Sequence, residues 1–417
     1  MVVTGLGMVT PLGLSVEETW AGWLSGRSGI SHLKRFDVTG HACTAAATVP
    51  EFDITPFLRI PKNQKFMNVG VRFAVRAVKE AVASSRVELE RFEPERIAMY
   101  AGSGHPGPEP SEFFPAFALS AEGGEEPDWN KMGGRPSRLI DPYFPLRSLA
   151  NAGVGLISPE IGARGPSNNF VQSDTASALA IEAACDDLAA GRCDLAVAVG
   201  YDSLVTVSTY LAFEREGLLS PSPPEEACRP FDRRRNGVVL GEGAGALVLE
   251  RREDAERRGA PIVGEIAGVD NAVDISNSLE PFEPDPFVRL IRSQAELLGG
   301  VDMVIAHGLG TRTGDRREGK LLSQIFDRSV PVTALKGSTG YLGAATGVVE
   351  TGLGLLSLRE RLVPAIARCS EPDPEIPLDL VTGAPRRPAA ERPSGLFLSW
   401  SLAGQCSVLS ARAAERS

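Results

Sequence analysis

Gly165-Pro-Ser-Asn-Asn-Phe-Val-Gln-Ser-Asp-Thr-Ala-Ser-Ala-Leu-Ala-Ile-Glu-Ala-Ala-Cys-Asp-Asp-Leu-Ala-Ala-Gly191 is the stretch on which the fold turns. An extended run, residues 169–172, leads through a polar turn into a helix over residues 175–190 that is rich in Ala and Leu. Gly191 ends it, since glycine adopts the left-handed backbone of a helix C-terminus without steric cost. The same order returns at residues 331–335, followed by a Gly-rich turn and an Ala/Gly/Leu helix over residues 342–361. Strand, tight turn and small-residue helix in both halves indicate an internal duplication, joined near the charged segment 251–260.

Working outward, short apolar runs at residues 1–5, 97–101, 194–199, 245–249, 262–268, 303–307, 378–382, 396–401 and 406–411 read as further strands. Between them, Val71, Val75, Val78 and Val82 repeat at the spacing of an apolar helical stripe, which predicts a helix over residues 69–84. This alternation predicts an α/β fold with largely buried strands. We divide the chain into an N-terminal half, residues 1–250, and a C-terminal half, residues 251–417. Residues 106–143, rich in Gly, Pro and acid, read as an irregular insertion or partner-facing loop.

Hydrophobic residues make up 43% of the 417 and charged residues 23%, which excludes a collagen, a low-complexity chain and a wholly disordered one. The balance of 43 basic against 53 acidic side chains argues against nucleic acid as a partner. The six cysteines (43, 185, 193, 228, 369 and 406) form no CxxC pair, so they read as reduced thiols rather than a disulfide framework or zinc site. With four histidines, no metal site is expected, nor any other cofactor. No basic start followed by an unbroken apolar stretch is present, and no window is long enough to span a bilayer, so a cytoplasmic location without membrane contact is expected.

Five ordered blocks resemble the β-ketoacyl-ACP synthases. They are Val2-Val-Thr-Gly-Leu-Gly-Met-Val-Thr-Pro-Leu-Gly13, Arg229-Pro-Phe-Asp-Arg-Arg-Arg-Asn-Gly237, Gly241-Glu-Gly-Ala-Gly-Ala-Leu-Val-Leu-Glu250, Ala306-His-Gly308 with Thr311 and Asp315, and Lys336-Gly-Ser-Thr-Gly340 with Gly343. The resemblance runs from residue 2 to about residue 410. It implies the thiolase fold: two duplicated α/β halves in a five-layered αβαβα arrangement, assembled as a dimer. In that family a cysteine at a helix N-terminus takes the acyl chain, and two histidines support decarboxylation and hold the developing oxyanion.

Carried onto this chain, the resemblance puts Asp174 at the nucleophile position. A carboxylate is a poor acyl acceptor, and Asp174 reads as a helix N-cap, ionised by its place at the helix end. Cys185, eleven residues further on, reads as a small core residue. The first histidine is kept as His307; Tyr341 replaces the second and reads as a half-buried aromatic filling the emptied space. Lys336, Asp315 and Glu318 match the family's Lys and acidic pair, and read as a buried ion network near the dimer interface. The Gly-rich gating block becomes Trp400-Ser401-Leu402-Ala403-Gly404, in which only Gly404 keeps a glycine of the family pattern, and Cys406 reads as a buried thiol.

With the catalytic set degenerate at Asp174 and Tyr341, the chain most resembles the chain length factor, or ketosynthase β subunit, of bacterial type II polyketide synthases. Its implied partners are a catalytic ketosynthase α subunit, as a heterodimer, and an acyl carrier protein bearing the growing polyketide. By itself the chain would be inactive, a subunit of an acyltransferase complex. Two other readings stay open: an active acyltransferase or ketosynthase variant using Asp174 and His307, and a homodimeric acyl-binding protein. The net charge of −10 points to the catalytic partner, rather than this chain, as the docking face for an acidic carrier protein.

Overall fold

A computed structural model describes residues 1–105, 110–124, 126–273 and 284–415. In chain order the strands are β1 (Val2–Val9), β2 (Ile30–His32), β3 (Ala45–Ala47), β4 (Ile97–Ser103), β5 (Ser167–Phe170), β6 (Leu195–Ser203) and β7 (Glu242–Glu250). Then follow β8 (Gly264–Val273), β9 (Met303–Ile305), β10 (Pro331–Thr333), β11 (Asp379–Leu380), β12 (Ser394–Trp400) and β13 (Gln405–Ala413). All but β2 and β3 join one mixed sheet, in the order β11-β10-β9-β12-β13-β8-β1-β7-β6-β4-β5. The β2–β3 pair stands apart as a small antiparallel ribbon.

The sheet repeats itself. Reading outward from its middle, β1-β7-β6-β4-β5 and β8-β13-β12-β9-β10 have the same chain order and the same sequence of antiparallel and parallel neighbours. The halves join through Val2 opposite Glu265 and Val3 opposite Gly264. Strands β1, β4 and β7 are buried along their whole length, which is why they read as continuous apolar or small-residue runs rather than alternating ones.

The Val69–Ser85 helix, capped by the Asn68 side chain on the amide of Val71, covers the outer face of β1, β7 and β6. The Pro284–Leu298 helix covers β8 and β13 on the other side. Between the two half-sheets lie the Ala176–Ala189 and Thr346–Glu360 helices, each touching strands of both halves. Helix, sheet, helix, sheet, helix: this is the thiolase-like α/β fold in five layers.

The central pair is close. A Cβ on Gly347 would lie 2.9 Å from Ser177 Oγ and 3.1 Å from the Ala178 nitrogen, so only glycine permits the approach. Ser177 Oγ then accepts from the Val348 amide at 3.0 Å, tying helix to helix. Every residue from Thr346 to Leu358 is buried, as expected for a helix without a polar face.

The segment 106–143 departs from the expected irregular loop. Residues 106–109 and 125 lie outside the described residues, but the rest carries helices at Pro110–Ala121 and Trp129–Met132 and a 3₁₀ turn at Pro136–Leu139. Stacked and edge-on aromatic pairs, Phe113–Phe117, Phe117–Trp129 and Phe113–Phe144, hold it together. Gly and Pro there mark turns between short helices, and the aromatic spacing outweighs them. Among the described residues, no helix is long and apolar enough to cross a membrane.

Candidate functional site

Both central helices begin in a 3₁₀ turn: Ser173–Thr175 in the first half, Gly343–Ala345 in the second. The two turns meet at the middle of the molecule. Ser173 has a φ of 52°, a left-handed conformation costly for a residue with a Cβ. That turn places Asp174 inside the protein, fully buried.

Asp174 is not an N-cap. Its carboxylate accepts from the Tyr341 hydroxyl at 2.5 Å, the Ser173 hydroxyl at 3.2 Å and the Thr346 hydroxyl at 3.5 Å. The residue lies within the 3₁₀ turn rather than before the helix, so its side chain crosses to the other half instead of capping the amides of the Ala176–Ala189 helix. Nor is it held ionised. Burial pushes its pKa up to about 7, against the opposing pull of the Lys336 charge and the Tyr341 hydrogen bond.

Tyr341 is wholly buried rather than half-buried, 2% exposed. Burial and the neighbouring Asp174 carboxyl raise its pKa well above the usual phenol value, so it stays a neutral donor. Its ring stands edge-on to His307 with centroids 6.4 Å apart, and leans on Phe213 at 6.0 Å. Tyr341 therefore separates Asp174 from His307, and no hydrogen bond joins those two.

His307 is buried, and burial together with Lys336 holds its pKa well below the ordinary imidazole value. Its Nδ1 lies 3.4 Å from the Trp400 amide, which leaves Nε2 as the protonated nitrogen of a neutral ring. Glu318 fixes the backbone here, accepting from the amides of His307 (2.7 Å) and Gly308 (2.8 Å) and from the Trp400 indole (2.9 Å). Asp315 accepts from the amides of Phe231 and Gly310, and burial pushes its pKa up to about 7.

The expected network of Lys336 with the acidic pair takes a different form. Lys336 Nζ donates to the His307 carbonyl at 2.7 Å and to Glu350 Oε1 at 3.0 Å; Asp315 and Glu318 bind mainly backbone amides. Glu350, Ser173 and Thr346 were missed in the sequence. Glu350 had a signal, as an acid in the middle of a helix otherwise built of small and apolar residues, where only a buried cation could satisfy it.

The gating-block residues form the β12–β13 turn: Trp400 ends the strand, and Gly404 takes a φ of 83°. Trp400, Ser401, Leu402 and Gly404 line a small, largely apolar cleft with Leu218, Phe287, Leu309, Thr311, Arg317 and Gln405, and with His307, Asp315 and Glu318 at its polar wall. Asp174 and Tyr341 do not line it. Cys406 is buried with its thiol pKa pushed well up by burial, and Cys185 is partly buried against the core with its thiol pushed up to about 12. No cysteine is poised as a nucleophile among the described residues, and no cluster of His, Cys, Asp or Glu there would hold a metal ion.

Two turns meeting between duplicated half-sheets, with a His–Lys–Glu set beside them, define a condensing-enzyme scaffold of the thiolase type. The chain belongs to the beta-ketoacyl synthase family: its N-terminal domain matches residues 1–255 and its C-terminal domain residues 288–370. It is 30% identical over 397 residues to a 3-oxoacyl-[acyl-carrier-protein] synthase 2 of Synechocystis sp., covering 93% of this chain and 92% of that one. A synthase 2 of Staphylococcus aureus is 29% identical over 390 residues, 91% of each. Among solved structures, the ishigamide ketosynthase/chain length factor superposes with a TM-score of 0.85 at 26% identity over 99% of both chains. A beta-ketoacyl synthase from Burkholderia phymatum does so with 0.86 at 25%, again over 99% of both.

Proposed function

We propose that the chain is a non-condensing ketosynthase-like subunit that pairs with a catalytic ketosynthase and sets polyketide chain length through a shared acyl tunnel. The observation that carries this reading is the buried Asp174–Tyr341 contact of 2.5 Å at the place where the family keeps a cysteine and a histidine. A carboxyl there cannot form a stable acyl-enzyme, because a mixed anhydride hydrolyses. A neutral phenol in place of imidazole cannot carry the positive charge that would steady an oxyanion. The missing cleft access to Asp174 adds to this, since an acyl group entering beside His307 meets Tyr341 first.

A subunit that does not react can still act by shape, because residues at a shared interface bound the partner's pocket. The connection from β4 into the outermost strand β5 exposes Phe114, Trp129, Leu139, Tyr143, Leu146 and Leu149, an apolar surface suited to a homologous partner. The division into halves at residues 250 and 251 belongs to the same proposal. Co-expression with a ketosynthase of intact Cys-His-His set tests it. A stable heterodimer is expected, and substitutions at the interface should change product length; no association would remove the reading.

A second reading is a condensing synthase of the fatty-acid type. The 30% identity to a 3-oxoacyl-[acyl-carrier-protein] synthase 2 and the kept His307 and Lys336 favour it. Condensation by the purified chain alone separates the two.

A further inference from the structure

Ser173 and Asp174 are neighbours in the chain that the fold sends opposite ways: Asp174 is wholly buried, and Ser173 is exposed. Ser173 stands three residues beyond β5 and three before the Ala176–Ala189 helix, at a strand-to-helix turn. Seven non-glycine residues take a positive φ among the described residues, and Ser173 is the one with a hydroxyl. The other nucleophilic side chain in that set, Cys228, is buried, and burial pushes its thiol up to about 12. Left-handed backbone at a residue with a Cβ stores strain, and strained strand-to-helix turns are where hydrolytic α/β proteins hold a serine outward.

The Ser173 hydroxyl also has a partner suited to that work. Its Oγ donates to Asp174 Oδ2 at 3.2 Å and lies 3.4 Å from the Tyr341 hydroxyl. A hydroxyl within hydrogen-bond reach of a carboxylate is a nucleophile beside its base. Burial lifts Asp174 to about 7, so the base is poised near neutral pH. Tyr341, held as a neutral donor, is in reach of an oxygen that takes up charge beside Ser173. On the outer side Val171 is 41% exposed and Phe170 half-buried, which gives the turn an apolar approach. Ser173 does not line the cleft at His307, so this approach is separate from it.

We propose that Ser173 is a nucleophile with Asp174 as its base, a second site that hydrolyses small soluble acyl esters from the exposed face of the turn. As Oγ bonds to the acyl carbon, its proton passes to the Asp174 carboxylate. That proton leaves with the alcohol when the ester C–O bond breaks. Water then attacks the Ser173 ester, returns one proton through Asp174 to Oγ, and releases the carboxylic acid. Ester and water become acid and alcohol. No carbon–carbon bond forms, so the site stands or falls apart from the non-condensing reading.

The test is hydrolysis of p-nitrophenyl acetate and butyrate by the full-length chain, followed at the isosbestic wavelength of the nitrophenol. The rate should rise as pH passes about 7 and Asp174 loses its proton. Lys336, Glu350 and, beyond Tyr341, Asp202 are the charged groups around it, so that limb should vanish in Asp174→Asn and persist in Glu350→Gln. Ser173→Gly accepts a φ of 52° without strain; it should melt no lower than wild type yet lose at least about a hundredfold in kcat/KM. Ser173→Cys should keep an initial burst of nitrophenol. A fluorophosphonate probe should label Ser173 in the wild-type chain, read by peptide mass spectrometry, and leave Ser173→Gly unlabelled. Hydrolysis unchanged in Ser173→Gly, a label on another residue, or neither hydrolysis nor label in the folded wild-type chain would overturn the proposal and leave the non-condensing reading standing. Carbon–carbon bond formation by the chain would overturn that reading and leave the Ser173 site standing.

Discussion

The Ala176–Ala189 and Thr346–Glu360 helices hold equivalent places in the two halves, following β5 and β10 respectively, and each begins in a 3₁₀ turn. The first turn offers Asp174. The second is approached through Lys336 and Tyr341 and opens on Thr346. At this contact the first half supplies the Asp174 acid with the Ser173 hydroxyl beside it, and the second supplies the Tyr341 and Thr346 donors and the opposing Lys336 charge. Duplication fixes where the two turns meet; the side chains fix whether anything reacts there. Further out the contrast continues, since the second half keeps an open cleft at His307 while the first-half position is closed by Tyr341.

The largest effect should come from removing the cation of the second half. Lys336→Met leaves Glu350 buried without its partner, and loss of one member of such a pair costs about 3–5 kcal/mol. Chemical denaturation should show a midpoint far below wild type, partly recovered in Lys336→Met/Glu350→Gln. Next is the contact across the halves. Tyr341→Phe withdraws the donor from Asp174 and should destabilise by about 1–3 kcal/mol in the same measurement.

Burial raises Asp174 and Glu350 to about 7, above the unfolded values of 3.8 and 4.5, so the folded state holds their protons longer than the unfolded chain does. Their contribution to stability is present below pH 4 and is lost as pH rises through about 7. Melting temperature should decline between pH 5 and 8 less steeply in Asp174→Asn than in wild type. Equal slopes would mean that Asp174 does not titrate there. The smallest effect belongs to Thr346→Val, which removes a 3.5 Å hydrogen bond and should cost under about 1 kcal/mol.

Much of this architecture is readable from residues. Ten of the eleven strands of the main sheet overlap short apolar runs bounded by turns, because buried strands need no polar alternation; β5, Ser-Asn-Asn-Phe, is polar and partly exposed, and overlaps the extended run 169–172 only at its end. The β2–β3 ribbon escaped notice: three-residue strands, one of them Ala45-Ala46-Ala47, carry no period to detect. Asp174, His307, Tyr341 and Lys336 could be named from motif blocks, but their partners could not. Whether an Asp before a helix caps it or turns inward depends on the φ of the preceding residue, and Ser173 gives no sign of its 52° in composition.

The most direct test incubates the purified full-length chain, without a ketosynthase partner, with acyl- and malonyl-loaded acyl carrier proteins, and follows β-ketoacyl product and acyl adducts by mass spectrometry. No product above background and no adduct on any residue are expected. Condensation at rates normal for the family, abolished by Asp174→Ala, would contradict the non-condensing reading.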